Sequence, residues 1–145
     1  MAMEFKTETL NEAVLDVPAT NTGNRLESII PDMMNVISQI HIWHLLCPSG
    51  QKHMALGELY ESLQDEVDEL AEIYIAMGGA IGTVGYFVAD VKYSDMKVIE
   101  YLKGFVQTIN EAIKNTTAAE QFSLNDELGD IQESIYHFIY KFNLS

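Results

Sequence analysis

Apolar residues recur with helical spacing in four stretches of the chain. Positions three or four residues apart share one face of an α-helix, and no stretch shows the two-residue alternation of a half-buried strand. The first stripe comprises Leu26, Ile29, Ile30, Met33, Met34, Ile37, Ile40, His41, His44 and Leu45. The second helix is predicted from about Gln51 to Met77, where the pair Gly78–Gly79 is a strong signal for the end of a helix.

Two further stripes lie in the second half of the chain. Ser94 is the predicted N-cap of a third helix, and SLND, beginning at Ser123, has the form of a capping box for a fourth. The segment between Gly78 and Ser94 is rich in glycine yet too apolar for a solvated loop, so we expect it to pack as a short helix or turn. The pattern predicts an all-α protein, a four-helix bundle with a short irregular or helical segment between helices 2 and 3. Its predicted domains are a loosely structured N-terminal arm over 1–25 and the bundle over 26–145.

The composition and charge of the chain limit the classes of function that it can have. There are 22 acidic and 8 basic residues, and the basic ones are scattered along the length, so direct DNA binding is not expected. No apolar run approaches the roughly 18 residues that a membrane helix needs, and the first ten residues lack the pattern of a secretory signal. The single cysteine, Cys47, fits a reducing compartment. These observations predict a cytoplasmic protein that does not bind membranes.

Histidine and carboxylate side chains cluster on the first two predicted helices. Two histidines three residues apart share a face of the first helix, and one histidine and three carboxylates fall within about 100° on the second. The candidate metal ligands are His41, His44, His53, Glu61, Asp68 and Glu72. Imidazole and carboxylate together suit Fe(II), manganese or zinc. The spacing alone also fits a solvated acidic face and histidines buried in the core.

Four of these residues have the spacing of a known iron site. Eleven residues separate His41 from His53, fourteen separate His53 from Asp68, and three separate Asp68 from Glu72. With the segment VDELAEIYIAMGG, this pattern resembles the Dps family, the DNA-protection-during-starvation branch of the ferritin-like proteins. The short chain is similar to Dps-like proteins that bacteriophages often carry, which would place it in the host cytoplasm.

The resemblance implies a ferritin-like bundle, a homo-oligomer built from dimers and extending to a dodecamer, and a ferroxidase that oxidises and sequesters Fe(II). Its site would lie between subunits, with His41 and His53 from one chain and Asp68 and Glu72 from its partner. Iron is the implied metal, and zinc or manganese are the alternatives.

The chain departs from the family pattern at three places. The position of a further aspartate, four residues after His53, is Gly57, for which Glu61 is the candidate substitute. Trp43 is shifted by one residue, which makes His44 an alternative to His41 as first-helix ligand. The basic N-terminal tail that binds DNA in some members is absent. The alternative function is therefore a non-enzymatic ferritin-like structural or host-interaction protein of a phage, with a degenerate metal site; an acidic nucleic-acid mimic is a third hypothesis.

Overall fold

Four helices make up most of the part of the chain that the computed structural model describes, residues 25–83, 85–115 and 121–145. They are α1 (Arg25–Leu46), α2 (Gly50–Ala76), α3 (Asp95–Lys114) and α4 (Phe122–Leu144). These ranges contain no strand, which confirms the predicted all-α four-helix bundle. The predicted N-terminal arm, apart from its last residue, and most of the joint before α4 lie outside the described residues. No helix within the described ranges is long and apolar enough to cross a bilayer.

The helix ends follow local chemistry at most of the predicted positions. Ser94 caps α3 as expected, accepting a hydrogen bond from the backbone N–H of Lys97 at 3.1 Å. The α2 helix ends as predicted at a glycine, because Gly78 has a φ of +96° that other residues rarely adopt. The predicted capping box at Ser123 is wrong: α4 begins at Phe122, so Ser123 already lies in its first turn, and no described side chain caps this end.

A proline in α1 creates the attachment point for the segment that follows α2. Pro31 has no backbone N–H, so the carbonyl of Glu27, four residues earlier, lacks its helical partner. The N–H of Gly82 donates to that carbonyl at 2.9 Å. A Cβ atom at Gly82 would lie 2.8 Å from the same oxygen, so the close approach requires glycine.

The other end of this segment is attached near the end of α1. The side chain of Gln39, which is buried, donates to the carbonyl of Asp90 at 2.9 Å and accepts from its N–H at 2.7 Å. The indole N–H of Trp43 donates to the carbonyl of Lys92 at 3.2 Å. The segment therefore runs along α1 from its beginning to its end, and the described part of 77–94 is irregular rather than helical.

The segment between α2 and α3, called the crossover from here on, sets the direction of the helices that follow it. Since α1 and α2 are joined by a turn of three residues, they run antiparallel, and the crossover returns the chain to the end where α1 finishes. There α3 starts antiparallel to α1, and α4 then reverses direction. Helix α1 packs against α2 and α3, and α4 packs against the same two. The bundle is up-down-down-up with one long crossover.

Each helix turns one apolar face to a shared core, in which Trp43 meets Tyr101 edge to face at a centroid distance of 5.2 Å. The largest fully buried side chains are Trp43, Leu26, Ile30, Met33, Ile40, Leu56, Leu63, Leu70, Leu102, Ile109, Leu128 and Ile131. The predicted first stripe is too wide, since Met34 and Leu45 at its edge are exposed. An apolar stripe read from sequence marks the core-facing side of a helix but not where that side ends.

We expect Gln39→Met to lower the free energy of unfolding by about 1–3 kcal/mol, because it leaves the N–H and carbonyl of Asp90 without their partner. The comparison is Gln64→Met, an exposed position on α2, where the change should stay within about 0.5 kcal/mol. Urea denaturation followed by circular dichroism measures both. Equal effects in the two variants would show that the crossover does not depend on this contact.

Candidate functional site

The turn between α1 and α2 brings two histidines together. His44 lies in the last turn of α1 and His53 in the first turns of α2, and the three residues Cys47–Ser49 reverse the chain between them. The two imidazole rings stack with their centroids 3.8 Å apart and their planes 20° from parallel. Both side chains are half-buried.

Each of these histidines binds the backbone of the other. The Nδ1 of His44 lies 2.7 Å from the carbonyl oxygen of His53, and the Nδ1 of His53 lies 2.6 Å from the carbonyl oxygen of His44. A carbonyl oxygen only accepts, so each Nδ1 carries a hydrogen and donates it. In a neutral imidazole the other nitrogen, Nε2, is then an unprotonated lone pair. Each Nε2 lone pair lies in the plane of its own ring, and because the two rings are stacked the lone pairs do not converge on one point.

Gly57 makes room for this pair. A Cβ atom there would lie 2.9 Å from Cε1 of His44 and 3.1 Å from its Nδ1. Glycine within a helix costs about 1 kcal/mol relative to alanine, so its presence in the interior of α2 fits a packing requirement. The His44 ring occupies the space that a side chain at position 57 would need.

His41 lies beside the pair rather than in it. Its ring stacks on Tyr60 with centroids 4.2 Å apart, its centroid is 6.1 Å from that of His44, and its side chain is exposed.

The predicted carboxylate ligands lie far from the histidines along α2. At 1.5 Å per residue, Asp68 and Glu72 are about 22 and 28 Å from His53, and Glu61 is about 12 Å away. All three carboxylates are exposed, and none forms a hydrogen bond or ion pair with another described residue. Among the described residues, no three histidine, cysteine, aspartate or glutamate side chains are grouped so as to hold a metal ion. One chain therefore brings together His44 and His53 but not the set of ligands predicted from the sequence.

Polar contacts hold the beginning of α2 against the other two helices. Lys52, the residue before His53, forms an ion pair with Asp95 of α3, and its ammonium lies 5.1 Å from the ring centroid of Phe142 on α4. Tyr93 also donates to Asp95, at 2.6 Å. The hydrogen bonds from Lys52 and Tyr93 keep the pKa of the Asp95 carboxyl below its ordinary value. The contacts of Lys52 join the beginning of the helix that carries His53 to α3 and α4.

A second group of carboxylates, which the sequence analysis missed, lies between α2 and α4. Glu127 is only 7% exposed, and its Oε2 has no hydrogen-bond partner among the described residues. Across the interface, Glu66 accepts a hydrogen bond from the Ser134 hydroxyl at 2.7 Å through one oxygen, while the other is buried without a partner in the described part of the chain. The apolar stripe of α4 carries a signal for this site, because Glu127 lies on it next to Leu128.

Burial raises the pKa of both carboxyls above the ordinary glutamate value of 4.5. Neighbouring carboxylates add to the shift, mainly Glu69 for Glu127 and Asp130 for Glu66, whereas the Ser134 hydrogen bond opposes it for Glu66. The interface therefore favours protonated carboxyl groups.

The structure is an all-α bundle with a stacked histidine pair at one end. Residues 44–142 match a family of unknown function (DUF5856), and the chain belongs to that family. The matched range includes His44, His53 and Gly57. Comparison with curated proteins and with solved structures gave no match.

We expect Glu127→Gln to raise the free energy of unfolding near neutral pH by on the order of 1 kcal/mol, because the amide carries no charge to bury. A carboxyl whose pKa is raised by folding contributes stability that is present below the ordinary glutamate range and is lost as the pH rises through the raised pKa. The advantage of glutamine should therefore grow as the pH rises and disappear as it falls toward that range. Urea denaturation at a series of pH values measures this.

The matched control is Glu100→Gln, since Glu100 is exposed on α3. Its stability difference from the parent should stay small and nearly constant with pH. A difference for Glu127→Gln that is also independent of pH would contradict the assigned burial of charge.

Proposed function

We propose that this chain is a Dps-like iron-binding protein that assembles into a symmetric oligomer and oxidises and sequesters Fe(II) at sites between subunits. The observation that carries the proposal is the pair His44 and His53, whose Nδ1–H groups are both bonded to backbone carbonyls. Histidines that bind metal almost always donate their other ring N–H in this way, which fixes the tautomer and the ring orientation.

A second copy of the chain would supply the missing oxygen ligands. Fe(II) takes imidazole nitrogen together with carboxylate oxygen, and Asp68 and Glu72 are exposed and unpaired among the described residues. The midpoint between His53 and these carboxylates falls near Glu61 and Ser62, which are also exposed. A two-fold axis through that point, with the α2 helices antiparallel, would bring Asp68 and Glu72 of each copy to the histidines of the other.

Three exposed apolar side chains adjoin the histidine pair along the chain, which is compatible with a surface that another chain covers. Leu45 at the end of α1 is 67% exposed, and Met54 beside His53 is 65% exposed. Leu46 is also exposed. Apolar groups that cluster beside a candidate site mark a contact surface more often than isolated ones do.

The connectivity and charge are compatible with this function. Ferritin-like bundles have one long crossover connection, which is the connection observed here between α2 and α3. The formal charge of −14 favours the approach of cations and opposes that of nucleic acid.

The proposed reaction takes one electron from each of two Fe(II) ions. Hydrogen peroxide accepts both electrons and two protons, its O–O bond breaks, and two water molecules form with two Fe(III) ions. An imidazole of one copy and the carboxylates of the other would bind each iron ion, and the remaining coordination positions would admit the peroxide.

We expect His53→Ala and Asp68→Ala each to abolish rapid Fe(II) oxidation when present throughout the oligomer. When the two variants are unfolded together and refolded as a mixture, activity should return to about a quarter of the parent. Half of the randomly formed dimers then contain one chain of each variant. In such a dimer one site combines an intact His53 with an intact Asp68, and the other site lacks both. Stopped-flow absorbance of ferric iron and size-exclusion chromatography with light scattering measure the rate and the assembly.

The control is the double variant Glu100→Gln, Glu111→Gln, which removes two exposed carboxylates of α3 and should oxidise iron at the parental rate. If the two site variants stay inactive in the mixture, the site is not shared between subunits. If they each oxidise iron as fast as the parent, the assigned residues are wrong.

One observation favours the alternative, a non-enzymatic ferritin-like scaffold with a structural or host-interaction role. The His44 ring fills the space beside Gly57. The aspartate that the Dps pattern has on its second helix therefore has no counterpart in this chain. This alternative predicts that the parent, purified without chelator, contains no stoichiometric iron or zinc and oxidises Fe(II) no faster than buffer.

A further inference from the structure

We propose that the outward face of α4 binds the same face of a second copy of the chain, with the two α4 helices antiparallel about a two-fold axis at the level of Ile135. The inference does not rest on the proposed function, which places its two-fold axis on α2. It assigns a further contact surface between copies.

The outward face of α4 is the side that its neighbours in the bundle leave uncovered. Ser134 donates a hydrogen bond to Glu66 of α2, and Gln132 donates one to Asn110 of α3, so these two sides of α4 are packed. Between them, on the side away from the core, seven residues fall within about 100° of one another around the helix. They are Asp126, Asp130, Glu133, His137, Tyr140, Lys141 and Leu144, and all of them are exposed.

The two halves of this face have opposite character. Its three carboxylates all lie in the first half, and residues 134–145 carry no acidic side chain. The second half is aromatic, apolar and basic, since Tyr140 is 68% exposed, Leu144 is 71% exposed, and Lys141 lies between them. The face is therefore complementary to itself when a second copy lies antiparallel, which favours a second copy as its occupant.

An antiparallel arrangement about Ile135 brings the two halves together. Residues at equal distances before and after Ile135 then face each other, so Glu133 of each copy lies opposite His137 of the other. Asp130 lies opposite Tyr140 in the same way. Neither the Tyr140 hydroxyl nor the Asp130 carboxylate forms a hydrogen bond with another described residue, so the hydroxyl can donate to the carboxylate of the second copy.

Lys141 supplies the ion pair of this interface. Opposite it lies Gly129 of the second copy, where a Cβ atom would meet no other described residue within 4 Å, so the lysine has room to reach Asp130 beside that glycine. Within its own chain Lys141 lies 3.3 Å from Glu58, and both side chains are exposed. A pair of exposed side chains contributes little, so the ammonium group remains available to the second copy.

The charge and size of the face set the strength of the association. At physiological ionic strength charges are screened beyond about 8 Å, which weakens the repulsion between two chains of charge −14 but preserves contacts between close opposite charges. The 23 residues of α4 form a strip about 35 Å long and about 10 Å wide, less than the roughly 800 Å² that each partner buries in a standard interface. We therefore expect a weak association that depends on protein concentration.

The test is sedimentation equilibrium of the full-length chain at physiological salt, over concentrations up to about 0.5 mM. The mass of the parent should rise with concentration, and Tyr140→Ser should weaken this self-association by about tenfold, because the ring is lost from both halves of a symmetric contact. The matched control is Val91→Ser. Val91 is 67% exposed on the crossover along α1, which lies diagonally across the bundle from α4, so this variant should associate like the parent.

An exchange of charges tests the pairing itself. Lys141→Glu and Asp130→Lys should each weaken self-association by about tenfold or more, because each places like charges opposite each other twice in the symmetric pair. An equimolar mixture of the two variants should associate like the parent, since every such contact in a mixed pair joins opposite charges. The control is Lys103→Glu, at an exposed position on α3, which should associate like the parent.

The inference is overturned if the parent is a monomer at every concentration, which would leave the outward face of α4 to a different protein. It is also overturned if Tyr140→Ser associates like the parent, or if the mixture of charge variants stays dissociated. If Asp130→Lys fails to fold, the comparison of Tyr140→Ser with Val91→Ser still decides. The proposed function fails separately, because His53→Ala and Asp68→Ala leave this face unchanged.

Discussion

The attachment of the crossover to α1 is the constraint on which the rest of the bundle depends. The carbonyl that Pro31 leaves free binds Gly82 at one end, and Gln39 and Trp43 bind the segment at the other. Because the segment is held along α1, α3 must begin where α1 ends, and Asp95 of α3 comes within reach of Lys52 on α2. The position of the helix carrying His53 therefore depends on bonds made by the crossover.

The helices could be predicted from the sequence because each requirement is local. Apolar spacing, the Ser94 cap and Gly78 in the left-handed region depend on neighbours within a few residues. The path of the crossover depends on pairs distant in sequence. Nothing in the sequence near Gly82 indicates that its N–H will bind the carbonyl that Pro31 leaves without a helical partner. In the sequence, Gln39 cannot be distinguished from an exposed polar residue, because its partner Asp90 is distant along the chain.

The candidate site could be predicted only as a set of residue types. Helical spacing predicted that histidines and carboxylates lie on two neighbouring helices. It could not predict which imidazole rings are in contact. His41 has the spacing of the Dps pattern that the sequence resembles, yet the structure pairs His44 with His53, because the glycine at 57 and the three-residue turn decide which ring fits. Glu127 shows the same limit, since its burial depends on how α4 packs against α2.

Some of the costs that the chain carries lie on the α1–α2 hairpin and at the α2–α4 interface. A glycine within α2 weakens that helix, Leu45 and Met54 leave apolar surface in water, and two carboxyls are buried between α2 and α4. Gly104 and Gly129 carry the same cost within their helices although a Cβ there would meet no other described residue within 4 Å, so a glycine within a helix does not by itself indicate a function. At Gly57 the missing Cβ does have a structural consequence, because it leaves the space that the His44 ring occupies, and the stacked histidine pair depends on that space.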